Sequence, residues 1–208
     1  MNAIILAKGE NSGRLSKDKS LIMLSDNTPV IKKNIEKISD IFSTISIVSV
    51  HPEKFVSYEG KKVKVIRDSF ACGPLGAMYT GLNCSLSKYN FVMACDMPFI
   101  NPDFISFMIE RIEDEYDAVV PEHNGFAEVL HAFYSKNIIL PLENLLQKRQ
   151  YRVREVLERV RVKYIKDREI IKFGNPDVLF FNINTETDLQ KAKDIYGKVK
   201  AGDFYDTC

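Results

Sequence analysis

The chain has 208 residues, 45% of them hydrophobic, which is enough apolar material for one sizeable core. Its 29 Lys and Arg nearly cancel its 28 Asp and Glu, leaving a net charge of +1. That balance excludes the domain-wide basic field of a protein that coats nucleic acid. Four cysteines (Cys72, Cys84, Cys95, Cys208) and three histidines (His51, His123, His131) show no CxxC pairing and no metal-ligand spacing. Neither a disulfide framework nor a zinc site is expected from them. There is no charged n-region and no apolar run near the ~18 residues of a membrane span. A soluble cytoplasmic protein of a reducing compartment is expected, with no nucleic-acid or membrane partner.

The chain opens with Ala3 to Ala7, a short apolar run of the kind that forms a fully buried strand. Lys8 to Lys19 follows as a loop carrying Gly9, Gly13, Arg14 and Lys19. Glycine lets backbone N–H groups approach an anion, and the cations neutralise it, so this stretch reads as a phosphate loop. It also reads as an ordinary polar connection. The spacing is neither a Walker A loop nor G-x-G-x-x-G, which disfavours P-loop kinases and dinucleotide dehydrogenases. Ser20 to Leu24 is a second short apolar run. Thr28 and Pro29 read as N-cap and first residue of a helix with apolar positions from Val30 through Phe42.

Thr44 to Val50 is β-branched and strand-like, and Val63 to Ile66 is a third strand ending at Asp68. Gly73-Pro74-Leu75-Gly76 opens a helix to about Leu86. Asn90 to Ala94 is a fourth buried strand, followed by Cys95-Asp96-Met97-Pro98. Asn101-Pro102-Asp103 starts a helix through about Glu113. This alternation implies parallel βαβ units. Farther on, Asp117 to Pro121 is a strand and Gly125 to Tyr134 reads as one or two more. Helices are expected at Ile138 to Gln147 and Arg152 to Val160, then a strand at Val162 to Ile165. Leu179-Phe180-Phe181 leads into Asn182-Ile183-Asn184-Thr185. Thr185 suits the N-cap of a last amphipathic helix through about Lys200. Residues 1–200 form a single domain in this reading, and 201–208 a frayed tail.

Several residues in this frame can carry chemistry. Asp96 follows a buried strand and precedes a proline that fixes the turn. A carboxylate there can hold Mg²⁺ against a triphosphate, or it can simply cap the turn. Asp68 also ends a strand and invites the same two readings. Gly73 marks either a plain turn or a backbone approach to ligand at a helix N-terminus. Asn182 and Asn184, at i and i+2, face one side of an extended segment, for polar recognition or for capping. His131 reads as a satisfied, half-buried histidine, and Cys95 as small apolar packing.

Four stretches together resemble the MobA-like nucleotidyltransferases, closest to the molybdenum cofactor guanylyltransferase branch. ILAKGENSGRLSKDKSL resembles their L-A-G-G-x-S-x-R-M-G-x-D-K opening, and GPLGAMYTGL their G-P-L-A-G helix start. MACDMPFINPDFI resembles their C-D-x-P-F/Y segment, and FFNINTETDL their F-x-N-I-N-T-P-E-D-L close. The matches keep family order from residue 2 to about 192. The resemblance implies a Rossmann-like three-layer α/β/α fold with a mostly parallel sheet. It implies GMP transfer from GTP, with Mg²⁺, to a phosphorylated molybdopterin-type acceptor, releasing pyrophosphate, possible contacts with other cofactor-biosynthesis proteins included. By position, Leu6, Ala7, Gly9, Arg14, Lys19, Ser49, Asp68, Gly73 and Asp96 fall on the nucleotide site. Lys19, Arg14 and Asp96 take the catalytic positions, with Asp96 as metal ligand, and Asn182 and Asn184 lie near the acceptor. Lys8 replaces the first glycine of the family pair, Leu15 and Ser16 replace Met-Gly, and Ser49 stands where some relatives have asparagine. Alternatives within the class are another acceptor, cobinamide phosphate or phospholactate, or CTP as donor. Outside it stands a nucleotide-binding regulatory module without turnover.

Overall fold

The computed structural model describes residues 1–7, 22–24 and 28–201 of the chain. Its strands are β1 (Asn2–Leu6), β2 (Thr44–Ser49), β3 (Val63–Arg67), β4 (Tyr89–Ala94), β5 (Ala118–His123), β6 (Phe126–Ala127), β7 (His131–Ser135) and β8 (Val162–Lys166). They make one sheet of eight strands among the described residues, in the order β3-β2-β1-β4-β7-β5-β6, with β8 also paired to β5. The β3-β2-β1-β4 half is parallel, with Ile4 opposite Ser46 on one side and Val92 on the other. β7 runs antiparallel to β4 and to β5, while β8 is parallel to β5.

Alternation along β1 explains the layering. Ala3, Ile5 and Ala7 join one buried cluster, and Ile4 and Leu6 the other. Successive strand side chains point to opposite faces, so a run that is apolar throughout needs a cover on both. One cover comes from α1 (Val30–Ile38) and α3 (Pro102–Glu110), through Ile31, Ile38, Phe104 and Met108. The other comes from α2 (Pro74–Cys84) and α4 (Ile139–Gln147), through Leu75, Met78, Leu82, Leu142 and Leu145. The result is the expected three-layer α/β/α arrangement. α5 (Arg154–Leu157), α6 (Asp167–Ile170) and α7 (Pro176–Leu179) are single turns, and α8 (Glu186–Ala201) closes the chain. Leu189 and Ala192 of α8 pack on Ile22, Leu24 and Ile183 in a third cluster. Among the described residues no helix is long and apolar enough to cross a membrane.

Some boundaries differ from the sequence reading. Pro29 itself is the N-cap of α1 (φ −57°, ψ 139°), with no side-chain cap, so Thr28 does not hold that role. α1 stops at Ile38 because the chain then folds Phe42 inward, where its ring stacks on Phe91 at 5.7 Å. α3 ends at Glu110, and only Arg154–Leu157 of the expected 152–160 helix forms. α6 and α7 were not expected. Asn175 caps α7 by accepting a hydrogen bond from the Asp177 N–H at 2.9 Å. A cap also forms at the expected helix start at Asn101, and the expected cap forms at Thr185. Asn101 accepts from the Asp103 and Phe104 N–H groups, and Thr185 Oγ1 accepts from the Asp188 N–H at 3.1 Å. Asp188 accepts in return from the Thr185 N–H at 2.9 Å, completing a reciprocal capping pair.

Candidate active site

The parallel strands end together on one edge of the sheet, and their backbone pairing continues one residue further. Ala7 N–H donates to Val48, Cys95 N–H to Leu6, and Asp68 N–H to Ser49. The carboxyl ends of β1, β2, β3 and β4 therefore share one rim, where ligands of open α/β sheets sit. A cavity of about 680 Å³ opens there. Leu6, Ala7, Ser49, Asp68, Gly73, Asp96, Asn182 and Asn184 all line it. The fold thus brings into one cavity every site residue named from sequence that falls within the described residues. Gly9, Arg14 and Lys19, together with Lys8, lie outside the described residues.

Each of these residues is held by its local structure. The buried Asp68 carboxylate accepts from the Phe70 N–H at 3.0 Å and the Thr80 hydroxyl at 3.4 Å, which fixes the loop to α2. Ser49 Oγ accepts from the His51 N–H at 3.1 Å. Gly73 is the N-cap of α2 at φ 85°, a left-handed angle that costs a side-chain-bearing residue more than glycine. The Asp96 turn is tied to α1, because the buried Asn34 amide donates to the Met97 carbonyl at 3.0 Å. Ile183 N–H donates to the Asp96 carbonyl at 3.0 Å. That one bond brings the Asn182–Asn184 segment against the Asp96 turn, although Ile183 stands 87 positions after Asp96 in the chain. Asn182 Nδ2 donates to the Phe180 carbonyl at 2.9 Å.

Two charged residues of the cavity went unmarked in the sequence. Glu128 and Arg154 both line it. Glu128 sits between β6 and β7, and Arg154 comes from α5, where its guanidinium donates to the Ala127 carbonyl at 3.4 Å. No sequence signal separates them from the other charges of their segments. Burial raises the Glu128 carboxyl above its ordinary range, against the pull of His123 and Arg154.

His131 departs from the half-buried, hydrogen-bonded histidine expected. It is fully buried among Phe91, Phe104 and Phe180, and neither ring nitrogen has a hydrogen-bond partner. Desolvation pushes its pKa down to about 3, so the ring is neutral at neutral pH. Cys95 is buried in the apolar cluster beneath the sheet edge, as its reading as a packing residue requires.

Residues 3–164 match the MobA-like NTP transferase domain. The chain belongs to this family. It is similar to a probable molybdenum cofactor guanylyltransferase of Natranaerobius thermophilus, with 35% identity over 96% of this chain and 98% of the relative. It is 31% identical to a molybdenum cofactor guanylyltransferase of Desulfosudis oleivorans over 97% of each chain. A crystal structure of molybdopterin-guanine dinucleotide biosynthesis protein A from Archaeoglobus fulgidus superposes with a TM-score of 0.81 at 27% identity. It covers 95% of this chain and 100% of that one. In this MobA-like NTP transferase, the cavity therefore occupies the sheet edge of a nucleotidyltransferase fold.

Proposed function

We propose that this chain transfers GMP from GTP to the terminal phosphate of a molybdopterin-type acceptor and releases pyrophosphate. The observation that supports it best is the Ile183–Asp96 hydrogen bond at 3.0 Å. It joins the C-D-x-P and N-I-N-T segments, which the family resemblance assigns to catalysis and to the acceptor, at one cavity. In this reading Leu6, Ala7, Ser49, Asp68 and Gly73, which line the same cavity, take the nucleoside and the phosphate chain.

The chemistry needs little acid–base work, because a phosphate nucleophile is already ionised. An acceptor phosphate oxygen attacks the α-phosphorus in line. The new P–O bond forms as the α–β bridging P–O bond breaks, and pyrophosphate leaves with that oxygen. Positioning and electrostatics supply the rate. Lys19 and Arg14 neutralise the leaving group. Asn182 and Asn184 orient the acceptor by hydrogen bonds.

Mg²⁺ fits the residues present. Among the described residues no group of three or more His, Cys, Asp or Glu forms a closed metal cage. Mg²⁺ needs none, since it binds through one or two carboxylates and keeps waters and substrate phosphates as its other ligands. Asp96 would hold the ion on the cavity wall. When bound, Mg²⁺ offsets negative charge on the phosphate oxygens.

The test is a panel of GTP, CTP and ATP with Mg²⁺ and phosphorylated acceptors, read as pyrophosphate release. Turnover is expected with GTP and molybdopterin. A preference for CTP, or for another phosphorylated acceptor, would overturn the assignment. GTP binding without release of pyrophosphate under every acceptor would favour a binding module.

A further inference from the structure

Glu128 is the cavity group that phosphate chemistry leaves unexplained. Its backbone is fixed at both ends, since its N–H donates to the Pro121 carbonyl at 2.8 Å and its carbonyl accepts from His131 at 3.1 Å. Glu128 lines the cavity, yet among the described residues no hydrogen bond or ion pair reaches its carboxylate, which feels only the charges of His123 and Arg154 nearby. A carboxylate accepts hydrogen bonds and donates none, and it repels a triphosphate. A ligand group that it binds must therefore carry N–H or O–H donors and lie away from the phosphates.

Its place in the sheet selects between two sources of such donors. Guanine and a pterin both present a ring N–H beside an exocyclic amino group, a pair spaced for the two oxygens of one carboxylate. Apart from Asp96, the described residues that the resemblance places at the nucleotide stand at the ends of β1, β2 and β3 and at the start of α2. Glu128 lies three residues before the start of β7. There the Leu130 carbonyl accepts from the Ala94 N–H at 3.1 Å, joining it to the β4 end that carries Asp96. Asn182 and Asn184 flank Ile183, whose N–H donates to the Asp96 carbonyl at 3.0 Å.

We infer that Glu128 is a specificity-determining residue for the acceptor, accepting paired N–H hydrogen bonds from the 2-amino-4-oxo edge of its pterin ring. The inference rests on the pterin-acceptor reading above. It says which group distinguishes a 2-amino ring from its 2-oxo counterpart. A carboxylate faces a 2-oxo group with repulsion, whereas a glutamine amide can donate to it.

The experiment compares wild type, Glu128→Gln and Glu128→Asp, each checked for an unchanged melting temperature. Binding of 6-hydroxymethylpterin and of 2,4-dioxopteridine to the GTP-loaded protein is measured by calorimetry, beside GTP affinity and the kinetic constants with molybdopterin. Wild type should bind the pterin better than the dioxopteridine. Glu128→Gln should weaken pterin binding and raise the KM for molybdopterin by roughly tenfold or more, and should narrow or reverse the pterin preference. GTP affinity and kcat should stay within about twofold, and Glu128→Asp should retain the preference in part. Equal weakening of GTP would assign the carboxylate to guanine and overturn the inference. Unchanged pterin binding in Glu128→Gln would overturn it too, leaving a solvated wall residue. A wild-type chain that turns over GTP with a non-pterin acceptor, and binds no pterin, would overturn the acceptor reading itself.

Discussion

His131 shows how one side chain can set the acid limit of the fold. Its ring is enclosed by Phe91, Phe104 and Phe180, with no partner for either nitrogen. Its pKa falls from the ordinary 6.5 to about 3 in the fold. The unfolded chain therefore takes up a proton below pH 6.5 that the folded chain refuses. This contribution to stability is whole above pH 6.5 and is lost as pH falls toward 3. At pH 4.5 the loss is roughly 2–3 kcal/mol. His131→Phe should remove that acid dependence and leave the stability at pH 7 equal or higher. Urea unfolding of both proteins from pH 4 to 7 checks it, and parallel profiles would count against the account. Asp96 is the other decisive residue. Asp96→Asn keeps the turn and the Ile183 hydrogen bond, which uses only the Asp96 backbone. It should lose roughly 100-fold or more in kcat with an unchanged melting temperature. Activity within a few fold of wild type would remove Asp96 from the metal role.

Among the elements, α2 lies so close to the sheet that one of its glycines leaves no room for a side chain. A Cβ at Gly81 would meet Ile4 Cγ2 at 2.6 Å and Val48 Cγ2 at 3.2 Å. These branched side chains belong to β1 and β2, which sit in the middle of the sheet and cannot retreat. Gly81→Ala should cost about 1–3 kcal/mol by overpacking, despite alanine's better helix propensity. Chemical denaturation measures it, and a stabilised variant would mean that α2 shifts freely. His123 at the end of β5 bridges α6 and α7. Its ring nitrogens lie 2.7 Å from Asp167 Oδ1 and 2.9 Å from Asp177 Oδ1. Burial lowers its pKa, but hydrogen bonds to Asp177 and Asp167 outweigh it and raise the value above 6.5. A raised pKa gives stability that is present below pH 6.5 and lost as pH rises through the folded value. Both aspartates are largely exposed, so the effect is at most about 1 kcal/mol. Melting temperatures from pH 6 to 9 should fall more steeply for wild type than for His123→Gln.

For the whole molecule, ligand binding and folding are linked. If GTP binds only the folded chain, GTP at 100 times its Kd should add about 2.7 kcal/mol of stability. Thermal unfolding with Mg²⁺ should show that gain for GTP and much less for guanosine. Lys19→Ala should erase most of the difference, since its charge acts on phosphate and not on base. Equal gains for GTP and guanosine would place the affinity in the base alone. The sequence by itself determined the layers and the parallel half of the sheet, because runs such as Ala3–Ala7 and Asn90–Ala94 are apolar on both faces and admit only a doubly covered strand. It also determined the caps at Asn101 and Thr185, where a side chain satisfies N–H groups two or three residues away. Such local chemistry is legible in order along the chain. Asp96, Asn182 and Asn184 were legible as a set through the four family stretches, and the structure gathers them at one cavity. Glu128 and Arg154 were not legible, because their meaning depends on which cavity they face and not on their neighbours in the chain. The solitude of His131 was hidden for the same reason. A histidine between Leu130 and Ala132 looks alike whether or not a donor waits across the core. Only the packing of β4, α3 and the Phe180 segment around it decided that none does.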